Sequence, residues 1–163
     1  MVTTTTVPGR LPGTQVVLPA RDLPRRPPGE LLAAARHGLA EAAAAPRPAE
    51  RYALAHLAAL RAAAAVLAVR ARPAAPGQGR RGRPASVWRL LAGTAPELSE
   101  WAAFFAAGAG KRAAAEAGIP GAVTPREADD LLRDAETFLA AVTGSLGRPH
   151  QAALPVAAPR QGP

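Results

Sequence analysis

The chain has 163 residues, a length that suits one domain, and a formal net charge of +8 carried by 20 basic against 12 acidic residues. It has no cysteine, which excludes a disulfide framework, a thiolate metal site and a cysteine nucleophile, and its three histidines are too far apart for a paired-histidine metal motif. Nineteen of the basic residues are arginine, beside 43 alanines and 18 prolines. That bias is first a coding bias, so arginine richness is discounted before it is read as nucleic-acid binding.

The positive charge is unevenly placed. Residues 1–27 carry +3, 72–85 carry +4 and 147–163 carry +2, whereas the rest sums to −1. The excess therefore lies in Pro/Gly-rich segments and not in the helical body.

Residues 1–27 are rich in Thr, Pro, Gly and Arg without periodicity and are expected to be disordered or extended. They show no apolar core behind a basic start, so no signal peptide is expected. The domain proper is expected over 28–146, and 147–163 as a disordered tail. A first helix is predicted over 29–45, with Leu31, Leu32, Ala35, Leu39 and Ala42 as its buried stripe and His37 on the solvated side. Pro46-Arg47-Pro48 breaks the chain, and Pro48 opens a second helix over 48–71. This helix is apolar nearly all round, as a central helix is. It places Tyr52, His56, Leu60, Ala63 and Leu67 on one face and Arg61 opposite. Arginine and histidine interrupt it, and most of it is alanine, so it is not expected to span a membrane; a cytoplasmic location follows as an expectation.

A flexible Arg/Gly/Pro connector is expected over 72–85, and its Arg80, Arg81 and Arg83 are candidate nucleic-acid contacts. Ser86 suits the cap of a short helix through Thr94, anchored by Trp88. Thr94-Ala-Pro96-Glu97 reads as a capping box for one helix over 96–117, ending at Gly118. That helix holds Trp101, Phe104 and Phe105, half of the chain's aromatics, and Gly108 and Gly110 within it suggest close approach of another backbone. Thr124-Pro125-Arg126-Glu127 is a second capping box, opening a helix over 125–146 with Ala128, Leu131, Leu132, Ala135, Phe138, Leu139, Val142 and Leu146 on one stripe. Asp129, Asp130, Arg133, Asp134 and Glu136 form the other, solvated side, where Asp129 and Arg133 suit an i,i+4 pair. No strand is expected in 28–146. The fold class is therefore all-α, an up-and-down bundle of four long helices plus one short helix.

The segments RYALAHLAALRAAAAVL, ELSEWAAFFAAGAGKRAAAEAG and TPREADDLLRDAETFLAAV make residues 29–146 resemble an alanine-rich bacterial branch of the HEPN class (higher eukaryotes and prokaryotes nucleotide-binding). The resemblance implies a bundle of two helical hairpins, often homodimeric, needing no cofactor. In catalytic members of that class an Arg–x4–6–His motif cuts RNA without a metal. The histidine moves protons at the ribose 2′-hydroxyl or the leaving oxygen, and the arginine holds phosphate charge. Arg51 and His56 match that spacing and are the candidate catalytic pair.

The match departs from the class habit. The motif lies on an early helix, is followed by Tyr52 where a small polar residue is usual, and separates its two side chains by about 140° on the helical wheel. A chain with 19 arginines also meets this spacing by chance. The preferred reading is a non-catalytic or regulatory interaction module, with His56 packed beside Tyr52 and Leu60. The first alternative is a metal-independent RNase of the toxin kind, with RNA as substrate and a nucleotidyltransferase-like partner protein. The second is nucleic-acid binding through residues 80–83.

Overall fold

A computed structural model describes residues 16–76 and 85–147. Its order is β1 (Val16–Leu18), a 3-10 turn (Ala20–Asp22), α1 (Pro28–Ala44), α2 (Pro48–Arg70), β2 (Ala71–Pro73), α3 (Val87–Thr94), a 3-10 turn (Pro96–Leu98), α4 (Ser99–Ala107), α5 (Ala109–Glu116) and α6 (Pro125–Gly147). The all-α class agrees with the sequence patterns, as do the positions of α1, α2, α3 and α6. Arg80, Arg81 and Arg83 lie outside the described residues, as does the stretch 148–163.

α2 is the centre of the bundle, with α1 and α6 as its main neighbours and α3 and α5 completing the enclosure. It is long and apolar enough to cross a membrane, yet more than half of its most apolar window is buried inside this bundle. The alanines do this burying. Ala55, Ala58, Ala59 and the run Ala62–Ala65 are inaccessible, while Leu54, Leu57 and Leu60 are only half-buried. Small side chains let neighbouring backbones approach. At Gly38 of α1, an added Cβ would sit 3.4 Å from the Ala58 Cβ and 3.2 Å from the Arg61 guanidinium. Arg61 uses that space to donate to the Ala34 carbonyl at 3.3 Å, tying α2 to α1.

α6 buries Ala128, Leu131, Ala135, Phe138, Leu139 and Val142, the stripe its periodicity predicts, with Leu132 and Leu146 half-buried. Its capping box forms: Glu127 N–H donates to the Thr124 hydroxyl at 3.2 Å, and Thr124 N–H donates back to the Glu127 carboxylate at 2.8 Å. Ser86 caps α3 by accepting from the Arg89 amide at 3.2 Å. Gly118, at φ 69°, closes α5 in the left-handed conformation, and the Ile119 amide reaches back to the Ala114 carbonyl at 3.1 Å.

Four expectations are corrected. The proposed helix 96–117 is instead a 3-10 turn and two short helices, interrupted at Gly108. There the close neighbours from another element are side chains: an added Cβ would meet the Tyr52 hydroxyl at 3.0 Å and the His56 ring at 3.6 Å, with the Phe105 carbonyl of the preceding turn at 3.5 Å. Gly110 has open space. Thr94 is no cap; it is the buried last residue of α3, and Glu97 pairs with Arg70 and accepts from Ser145 at 3.1 Å instead. Asp129 pairs with Arg51, leaving Arg133 to Asp130.

The fourth correction concerns strands. β1 and β2 form a parallel two-stranded pair, Val16 opposite Ala71 and Leu18 opposite Pro73. Within residues 16–27, part of the stretch expected to be disordered or extended, β1 is extended and is held there because Leu18 is buried against Leu67 and Ala71. The Ala74 amide extends the ladder by donating to the Leu18 carbonyl at 2.7 Å.

Candidate functional site

Both halves of the Arg–x4–His motif sit on α2, but each is engaged separately. Arg51, on the first turn, has a side chain 22% exposed. Its Nε and Nη2 donate to the Ala45 carbonyl at 3.2 and 2.8 Å, and Nη1 pairs with the Asp129 carboxylate. The guanidinium thereby satisfies a carbonyl at the end of α1 and locks the α1–α2 turn onto α6.

His56 is 1% exposed. Its Nε2 lies 2.9 Å from the Phe105 carbonyl, an acceptor only, so Nε2 carries the hydrogen and donates. Nδ1 is buried and finds no partner among the described residues. Trp88 and Phe105 meet the ring edge-on, each with centroids 5.7 Å away. Burial lowers its pKa from the ordinary 6.5; the Phe105 carbonyl opposes that shift and the Arg112 charge reinforces it. The ring is a neutral donor within the aromatic core, and the structure does not bring it together with Arg51 around a shared opening.

This burial predicts an acid response. The unfolded histidine takes up a proton below about pH 6.5, whereas the folded ring resists it, so stability is complete above that pH and declines as pH falls towards the folded pKa. Urea midpoints should be level from about pH 8 to 7 and fall by pH 5.5. His56→Leu should flatten that segment. Glu127 acts in a lower window: Lys111, then the Thr124 amide and hydroxyl, push it down to about 2.

An open concavity lies one turn away. A groove of about 380 Å³ is lined by Tyr52 of α2, Phe104, Ala107 and Gly108 at the α4–α5 break, Lys111 of α5, and Glu127, Asp130, Leu131 and Asp134 of α6. The break at Gly108 makes room for the Tyr52 hydroxyl, and Tyr52 lines the groove although it is 6% exposed. The four α6 residues follow an i, i+3, i+4, i+7 spacing and so share a face. Lys111 pairs with Glu127, which raises the Lys111 pKa. Burial raises the pKa of the Tyr52 hydroxyl; the Lys111 charge opposes the shift and the Glu127 charge adds to it. Burial also raises the Asp134 pKa, with Asp130 adding to it.

The sequence reading singled out none of these groove residues as functional. The available signals were the lone lysine and the α6 spacing, but the four helices had to be placed before either acquired meaning. Among the described residues no group of three or more His, Asp or Glu could hold a metal ion.

Residues 42–143 match the SAV_6107-like HEPN family model, more than half of the chain. The chain belongs to the HEPN family. The matched span begins within the last turn of α1 and covers α2 to α5 and most of α6, so the motif helix and the groove both lie inside the match, while β1 and most of α1 lie outside it. No curated protein and no solved structure matches the chain significantly.

Proposed function

We propose that this HEPN protein is a non-catalytic interaction module that works as a homodimer, without the RNase chemistry of the family's catalytic members. One observation carries the reading: His56, the residue that would move protons, is 1% exposed, donates its Nε2 hydrogen to the Phe105 carbonyl and is packed by aromatic rings. A general acid or base must reach the proton it transfers within hydrogen-bond distance. Arg51 supports the same reading, since all three of its bonded nitrogens serve the α1–α2 turn and α6. An alanine-rich core buries little surface per residue, and a second subunit on the outer helix faces would add to it.

The test is a metal-free RNA cleavage assay on purified protein, with light scattering at tens of micromolar. The expected outcome is a dimer with no cleavage above background. Cleavage abolished by both His56→Ala and Arg51→Ala would reinstate the RNase, and a strict monomer would remove the dimer.

A further inference from the structure

The groove between α2, α4, α5 and α6 has the makings of a ligand site of specific chemistry. Its volume, about 380 Å³, falls within the range of roughly 300–1,000 Å³ usual for small-molecule sites. Its polar groups divide into two sets. At one end Lys111 and Glu127 satisfy each other, and Glu127 also accepts from Thr124 at 2.8 Å, so neither charge is free. At the other end Asp134 makes no hydrogen bond or ion pair among the described residues and lies one turn from Asp130, a like charge at i,i+4. Asp130 is shared with Arg126 at 3.8 Å and with Arg133. Asp134 is therefore the groove carboxylate without a hydrogen-bonded or ion-paired partner, offset only by the Arg133 charge on its own helix.

The walls supply a second, independent observation. Tyr52 is more than nine-tenths buried and lines the groove, and its hydroxyl lies against the groove residue Gly108 and makes no hydrogen bond among the described residues. A buried hydroxyl normally finds a partner. Phe104 is 45% exposed, although Trp101 and Phe105 touch it edge-on from behind. Leu131 and Ala107 complete the apolar lining.

We propose that this groove binds a small organic cation, an ammonium on a short aromatic or alkyl stem, with Asp134 taking the charge and Phe104 and Tyr52 the stem. A cation there offsets the Asp130–Asp134 repulsion, and the aromatic faces attract it further. The Tyr52 hydroxyl supplies a hydrogen-bond partner for a polar atom on the stem. An anion is disfavoured, because the lining's one ammonium is already committed to Glu127. This proposal does not depend on the interaction-module reading.

The test is calorimetric titration of the full chain with phenethylammonium, and with phenethyl alcohol and phenylacetate as neutral and anionic counterparts of similar size. Saturable binding is expected for the ammonium, with the other two weaker by about tenfold or more. Asp134→Asn should weaken the ammonium by a similar factor and leave the alcohol unchanged, while Phe104→Ala weakens both. Phe104 is exposed, so its variant keeps the measurement interpretable if Asp134→Asn fails to fold. Absence of ammonium binding, equal binding of the alcohol, or indifference to both substitutions overturns the proposal.

Discussion

Phe105→Ala is expected to lower the unfolding free energy by about 3–5 kcal/mol, the usual cost of removing a fully buried phenylalanine. Phe105 is inaccessible and sits where the aromatic core converges. It stacks on Trp88 at 5.0 Å and Trp101 at 6.0 Å, and lies tilted against Phe138 at 5.2 Å. Against a typical domain stability of about 5–15 kcal/mol, such a loss leaves a marginal protein. Phe104, the next residue, is the control: it is nearly half exposed, so its truncation should cost about 1 kcal/mol or less. Urea denaturation of both variants checks the contrast, and near-equal losses would refute this account of the core.

His56→Ala is expected to cost about 3 kcal/mol, by two routes. The ring's volume is lost from beside the stacked Trp88 and Phe105. The Phe105 carbonyl also loses its imidazole donor inside the core. For a domain of this size that corresponds to a fall in melting temperature of roughly 10 °C. A catalytic histidine in an open groove would behave oppositely, giving up activity with little change in stability. Thermal unfolding thus discriminates between the two roles without any substrate. A shift within a degree of zero would contradict the core placement.

The parts of the fold legible in the sequence are those where large side chains mark a period. In α6, Leu131, Phe138, Leu139 and Val142 recur at helical spacing against a charged face, and the buried set follows that pattern. α2 is the opposite case. Its helix is plain from composition, but alanine on every side conceals which face meets which neighbour, and of the two leucines on the favoured face Leu67 is buried and Leu60 only half-buried. Thr94 shows a different limit. Its spacing to Glu97 satisfies the capping pattern, yet α3 runs through Thr94, so its backbone is helical and its hydroxyl faces inward. The partner of Glu97 is Arg70, remote in sequence and invisible to any local rule.

The site was less legible than the fold for a related reason. Arg51 and His56 stand out because they share one helix, whereas the groove draws on four. Tyr52 gains its role from Gly108 and Lys111 from Glu127, contacts that exist only once α5 has folded over α2. The strand at Ala71–Pro73 shows the same dependence. Its three residues carry no alternating pattern and include a proline, and they extend only because Val16–Leu18 comes alongside.

That pairing joins the segment ahead of α1 to the segment behind α2, so the α1–α2 hairpin is closed into a ring by three residues on each side. In a chain with no cysteine, it occupies the place of a cross-link. The difference lies in which state it restrains. A disulfide also narrows the unfolded ensemble, whereas this clasp exists only after folding and must recover its own loop-closure entropy, which grows slowly with the length enclosed. It can therefore release and re-form without covalent chemistry.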